Sequence, residues 1–188
     1  MTISTPSDHK NGLALTKVGG VDAGREVVAS GSWYTISYAV RRNGDSPAKA
    51  VMQYLREGGW QHGYDKGMEA DEQVNAYARL IRTMECYADL GEGDHETSMN
   101  ALCDGLFEFK ARSARISFYD TPGDGTFEPK SRHQYPDDAD CLDSPTWFIP
   151  DLDSEIRLCS GWPKDSRTTK PSDINFARSV RTEDLEYD

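Results

Sequence analysis

The chain has 188 residues, of which 37% are hydrophobic, and a formal net charge of -11 at pH 7. This length fits one domain with extensions, and no segment approaches the roughly 20 apolar residues that a membrane-spanning helix needs. The polar N-terminus MTISTPSDHKNG lacks the apolar segment of a secretion signal, and the four cysteines form no CxxC pair. We therefore expect a cytoplasmic protein with free thiols and without a zinc or redox motif.

Charge is distributed unevenly along the chain. Residues 121–154 carry eight Asp/Glu against two Lys/Arg, a net charge of -6, and residues 183–188 add four Asp/Glu. Residues 105–120 and 155–182 together carry nine Lys/Arg against five Asp/Glu, a net charge of +4. Because the local field governs whether a phosphate docks, these two segments keep nucleic acid among the candidate ligands despite the overall acidity.

The first elements follow an irregular N-terminal region. Residues 1–32 are rich in Gly, Ser, Thr and Asp without a sustained hydrophobic period, which indicates a flexible extension. The alternation in WYTISYAV, residues 33–40, predicts a strand. Ser46 and Pro47 suit the N-cap and the first position of a helix that runs to about Arg56.

A second helix and a hairpin occupy the middle of the chain. An apolar stripe with steps of three and four residues predicts a helix over about 70–90, and Gly91 ends it. Next, residues 106–111 and 114–119 alternate as two strands of a hairpin, with a tight turn at Arg112 and Ser113.

The C-terminal part contains an insertion before the last strand and helix. Residues 121–154 are rich in prolines and acids and too long for a usual hairpin loop; within them only TWFI, residues 146–149, is typical of a strand. EIRLCSGW, residues 155–162, predicts a strand, and Pro171 begins the last helix. The order β-α-α-β-β-β-α over residues 33–188 predicts an α+β domain. It would be a small, mostly antiparallel twisted sheet with helices packed on one face.

Six short motifs occur in an order that resembles the RelE/HigB toxin superfamily, in particular its phage-derived HigB-like branch. In chain order they are GDSP (44–47), LG (90–91), DGLFEFK (104–110), RISFY (115–119), GWPK (161–164) and, after a basic Thr-rich loop, INFA (174–177). The sequence departs from this pattern at Asp165, where the family usually has a second Lys, at Lys110, where Arg is more usual, and in the acidic insertion 121–154.

The resemblance implies the toxin of a type II toxin–antitoxin pair. Such a toxin is an mRNA endoribonuclease, ribosome-dependent or free, that needs no metal or other cofactor and inhibits translation. A small antitoxin, commonly of helix-turn-helix type, would neutralise it. In metal-free cleavage the 2'-OH of the RNA attacks the phosphate, so the site must supply a base, an acid and cations around the developing phosphorane charge.

Four residues are the candidate catalytic groups. Arg115 is the best candidate for a phosphate clamp, because the guanidinium fork matches a phosphate; the alternative is an arginine on a solvated face, paired with Glu108. Lys110 and Lys164 would stabilise the transition state or hold RNA. Tyr119, on the face of Arg115, would stack on a base or transfer a proton, although a tyrosine in a strand also suits packing.

Other residues complete the predicted site. The candidate RNA-binding residues are Arg112, Arg167, Lys170 and Trp162. The alternatives are an ordinary hairpin surface for Lys110 and Arg112 and a core or interface position for Trp162. His133, within KSRHQYP of the insertion, and Glu108 are the candidate acid or base groups.

Two other functions remain open from the sequence. The chain could be a catalytically inactive RelE-fold module, of phage or host origin, that acts through protein–protein contacts, or a regulator whose partner is not RNA. The insertion 121–154 could fold over the basic face as a phosphate mimic, contact a partner, or be a solvated loop.

Overall fold

The computed structural model describes residues 21–22, 24–60, 74–91, 98–134, 147–165 and 168–187. In these residues the helices are α1 (Pro47–Arg56), α2 (Ala76–Leu90) and α3 (Pro171–Leu185). The strands are β1 (Val21–Asp22), β2 (Arg25–Ser30), β3 (Thr35–Tyr38), β4 (Met99–Ala101), β5 (Phe107–Ala111), β6 (Ala114–Thr121), β7 (His133–Gln134), β8 (Trp147–Phe148) and β9 (Glu155–Pro163). None of the described helices is both long and apolar enough to cross a bilayer.

The main sheet confirms the α+β class and the mostly antiparallel pairing. Its strands follow the order β2-β3-β9-β6-β5-β4, and the two-residue β1 extends the edge beside β2. The pairing is antiparallel throughout except between β3 and β9, which run parallel. β7 and β8 form a separate antiparallel pair within the predicted insertion, and residues 135–146 lie outside the described residues.

Local signals account for the helix boundaries. Pro47 occupies the first turn of α1, as predicted. Asn75 caps α2, its side chain accepting a hydrogen bond of 2.8 Å from the Ala78 amide, while the predicted start at residues 70–73 lies outside the described residues. Gly91 ends α2 in the left-handed conformation at φ 70°, which glycine adopts without strain.

The helices lie on both faces of the sheet, so the predicted packing on one face was wrong. Met84 of α2 packs in one core cluster with Phe118 of β6, together with residues of α1. Val180 of α3 packs in a second cluster with Tyr119 of β6 and Cys159 of β9. Because successive side chains of a strand point to opposite faces, Phe118 and Tyr119 place the two clusters on opposite sides.

The strand β2 corrects the predicted N-terminal extension. Residues 25–30 pair with β3 and therefore belong to the sheet, while residues 1–20 lie outside the described residues. Val28 and Ala29 are both buried in the main core, and the register shifts at this point. Since burial at successive positions removes the regular alternation, the segment REVVAS carries a weak strand signal.

A buried carboxylate connects α3 to the sheet. Asp184, which has no exposed surface, accepts hydrogen bonds at Oδ1 from Arg25 Nε at 2.9 Å and from the Val40 amide at 2.6 Å. Its Oδ2 accepts from the Tyr119 hydroxyl at 2.5 Å and lies 3.8 Å from Arg157 Nη1. We call these residues the Asp184 cluster: Arg25, Tyr119, Arg157 and Asp184. The cluster joins β2, β6 and β9 to the C-terminal helix, and the Val40 amide adds the segment just after β3.

We predict that Asp184→Asn strongly destabilises the fold. The substitution removes the carboxylate that neutralises the buried Arg25, and breaking a buried ion pair from one side costs about 3–5 kcal/mol. Urea unfolding followed by circular dichroism measures the loss. Asp173→Asn, on the same helix but partly exposed, is the control and should change the free energy of unfolding by less than about 1 kcal/mol. Equal stability of the two variants would contradict this account.

Candidate phosphate-binding site

Three of the predicted site residues lie side by side across three strands. In the registered pairs, Lys110 of β5 is opposite Arg115 of β6, and Arg115 is opposite Trp162 of β9. Directly opposed residues on neighbouring strands have Cβ atoms about 4.5–5.5 Å apart. The sheet therefore brings two cations next to each other at the end of the β5–β6 hairpin.

The turn and the segment after β9 add two more cations. Arg112 occupies the two-residue turn between β5 and β6, with φ 53°. The Lys164 amide donates a hydrogen bond of 2.6 Å to the Ser113 carbonyl, which holds the end of β9 against this turn. We call the set the hairpin site: Lys110, Arg112, Arg115, Trp162 and Lys164.

Arg115 is packed into the hairpin rather than extended into solvent. Its Nη1 donates to the carbonyls of Arg112 at 2.6 Å and Ala114 at 2.8 Å, and its side chain is 13% exposed. Burial lowers the pKa of Arg115, and the nearby Glu108 carboxylate opposes that shift. Because arginine stays protonated in proteins, the site keeps a charge whose solvent shell is largely removed, and part of its donor fork is already used.

Glu108 has the position of a counter-ion. It is 1% exposed, its Oε1 lies 3.7 Å from Arg115 Nε, and the same oxygen accepts a hydrogen bond of 3.3 Å from Asn100 Nδ2. The pairing of Arg115 with Glu108, the alternative that the sequence left open, is therefore present. Asn100 was not predicted as a neighbour, because β4 is a three-residue strand without a clear alternation.

Trp162 is a core residue and not a platform for stacking bases. It is 5% exposed, so neither ring face is available to a base. Within the part of the chain that the structure describes, its indole nitrogen is buried without a hydrogen-bond partner. The structure supports the core alternative for Trp162 and corrects its proposed direct contact with RNA.

Tyr119 shares the sheet face of Arg115, as predicted, but α3 covers it. The two residues are four positions apart on β6, about 13 Å at the rise of a strand. Tyr119 has no exposed surface and donates its hydroxyl to Asp184. Burial first, and then the Asp184 charge, raise its pKa, so the phenol stays neutral. The predicted roles of Tyr119 in base stacking and proton transfer are therefore corrected to a role in packing.

The loop between β9 and α3 carries a smaller net charge than its lysines suggest. Lys164 Nζ lies 3.3 Å from Thr169 Oγ1, and Lys170 Nζ lies 2.7 Å from Asp165 Oδ2. The hydrogen bond between Asp165 and Lys170 lowers the pKa of the carboxyl group and raises that of the ammonium group. Asp165 thus neutralises one predicted RNA-binding cation. Arg167 lies outside the described residues.

The insertion is tied to the body of the domain near its two ends. Lys130 Nζ lies 2.8 Å from Asp120 Oδ2 and 3.1 Å from Asp153 Oδ2, and the Asp153 amide also donates to Asp120 at 2.7 Å. His133 lies in β7, whose strand partner is β8, so strand pairing does not connect it to the hairpin site. Its predicted part in proton transfer stays a prediction.

The sequence matches no protein-family model, and no curated protein matches it significantly. A functional proposal for this chain therefore rests on the geometry of the hairpin site and on the motif resemblance.

We predict that Asp165→Asn strengthens RNA binding. The substitution releases Lys170, and each additional phosphate contact steepens the dependence of log K on log salt by about 0.9 units for a duplex and 0.7 for a single strand. Fluorescence anisotropy of a labelled single-stranded RNA at several salt concentrations measures both quantities. Asp124→Asn is the control, since Asp124 is an exposed carboxylate that accepts hydrogen bonds from Thr126. Equal affinities and slopes for the two variants would contradict the prediction.

Proposed function

We propose that the protein is a metal-independent mRNA endoribonuclease of the toxin type that holds RNA phosphate at the hairpin site. The observation that carries the proposal is the placement of Lys110 directly opposite Arg115, with Arg112 and Lys164 at the adjoining turn. Lys110, Arg115 and Lys164 lie in the motifs on which the resemblance to the RelE/HigB superfamily is based, and Arg112 lies between two of these motifs. A cytoplasmic location, inhibition of translation and neutralisation by a helix-turn-helix antitoxin belong to the same proposal.

The cations have distinct parts in this mechanism. Lys110 and Lys164 are partly exposed and act as point charges near the phosphate oxygens, where negative charge grows during attack by the 2'-OH. Arg115 supplies a desolvated charge that its backbone hydrogen bonds hold in place, so little reorganisation is needed when the phosphate arrives. Glu108 is a positioning residue for Arg115.

The burial of Glu108 and Tyr119, two of the candidate acid or base groups, favours a second function. Glu108 and Tyr119 are 1% and 0% exposed, respectively, so neither reaches an RNA 2'-OH in this structure. A protein with the phosphate-binding cations but without an accessible base would bind and not cleave. The second candidate is therefore the catalytically inactive binding module.

Inducible expression in bacteria tests the proposed function. Wild type should arrest growth and create new transcript 5' ends in primer extension, whereas the folded double variant Lys110→Ala/Lys164→Ala should do neither. Lys49→Ala is the control, because Lys49 is an exposed cation of α1 that pairs with Glu26; it should retain both effects.

Arg115→Ala is the less direct variant, since it leaves Glu108 buried without its partner and lowers stability. Soluble, folded wild type that causes neither arrest nor new ends would contradict the nuclease proposal. RNA binding by that same protein in vitro would then favour a binding module.

A further inference from the structure

A groove that none of the hairpin-site residues lines is bordered by exposed apolar side chains. It has a volume of about 440 Å³ and lies between the β2–β3 turn, the C-terminal end of α2 and the segment before β9. Its lining residues are Trp33, Tyr34, Leu90, Gly91, Asp151, Leu152 and Ser154. Trp33 is 63% exposed and Leu90 is 61% exposed. Rigid apolar side chains that stay in solvent at the rim of a groove are typical of protein docking surfaces.

The backbone holds Trp33 in place although its side chain is exposed. The amides of Trp33 and Tyr34 both donate to the Ala88 carbonyl, at 2.9 and 3.0 Å. The Trp33 ring packs on Gly91, where an added Cβ would come within 2.7 Å of it. Gly31 also packs closely on α2, since a Cβ added to it would come within 2.4 Å of the Ala88 backbone. The β2–β3 turn therefore presents Trp33 in a fixed position, and a partner would bind it without a large ordering penalty.

Two carboxylates border the groove. Asp151 lines it and is exposed, and Asp89, adjacent to Leu90, is exposed and accepts a hydrogen bond of 3.1 Å from Ser32 Oγ. Among the described lining residues no side chain is cationic. A carboxylate beside an exposed indole suits a Lys or Arg side chain, which can pair with the acid and lie over the ring.

We propose that this groove binds a peptide segment of a partner protein in which an apolar anchor residue lies next to Lys or Arg. The anchor enters between Trp33 and Leu90, over the buried Leu152. The cation of the segment lies near Asp151 and Asp89 and above the exposed Trp33 ring. This proposal is independent of RNA binding, since none of the residues of the hairpin site lines the groove.

A phage-displayed library of random peptides tests the proposal directly. The library is selected on folded wild type and depleted on the folded double variant Trp33→Ala/Asp151→Asn, and the recovered peptides are synthesised and measured by fluorescence anisotropy. We expect a consensus of an apolar residue beside Lys or Arg. Trp33→Ala should weaken binding by about tenfold or more, and Asp151→Asn should reduce both the affinity and its sensitivity to salt.

Two substitutions serve as matched controls. Phe176→Ala removes an exposed aromatic side chain on α3, on the opposite face of the sheet, and Glu57→Gln removes an exposed carboxylate next to α1. Both should leave the affinity of the peptides unchanged. Circular dichroism and urea unfolding confirm that each variant is folded before it is compared.

Several results would overturn the proposal. It would be overturned if the selection recovered no peptide whose binding depends on the groove, or if the consensus lacked basic residues. Equal binding of the peptides to wild type and to the double variant would also overturn it. A concentration-dependent dimer of wild type that Trp33→Ala abolishes, measured by analytical ultracentrifugation, would instead assign the groove to a second copy of the chain.

Discussion

The rest of the structure depends on the buried carboxylate of Asp184. It accepts hydrogen bonds from Arg25 of β2, from the Val40 amide just after β3, and from Tyr119 of β6. These contacts fix the C-terminal end of α3 on the second face of the sheet. At the other end of the helix, the N-cap residue Lys170 pairs with Asp165, which follows Lys164, and the Lys164 amide donates to the Ser113 carbonyl of the β5–β6 turn. The C-terminal helix is thus part of the support of the site.

The hairpin site shows how an acidic protein can present a local positive field. Lys110, Arg112, Arg115 and Lys164 meet at one end of the sheet, although the chain as a whole carries a net charge of -11. Counter-charges restrain this field, since Glu108 lies beside Arg115 and the pair of Asp165 and Lys170 is neutral. Within a Debye length of about 8 Å at physiological salt, these cations would dominate the field that the proposed phosphate ligand meets. Acids beyond that distance are largely screened.

Local patterns predicted the elements whose signals are local. Pro47 predicted the start of α1, and Gly91 predicted the end of α2. The alternation on both sides of the turn predicted the β5–β6 hairpin, in which Lys110 and Arg115 lie on neighbouring strands. The remaining features arise from contacts between distant parts of the chain. Arg25 is buried because Asp184, 159 positions away, neutralises it, and Tyr119 is buried because α3 covers its side of the sheet. A period of two shows which residues share a face but not whether a helix covers that face.

Photo-crosslinking of a 4-thiouridine-labelled RNA to the folded protein, followed by mass spectrometry of the crosslinked peptides, tests the central claim most directly. The claim is that RNA phosphate lies at the hairpin site. The account predicts crosslinks in the peptides that contain residues 110–115 and 163–170, which decrease as salt is raised because the contacts are electrostatic. The account would be contradicted by crosslinks that occur only in other segments of the chain, or by the absence of any crosslink at low salt.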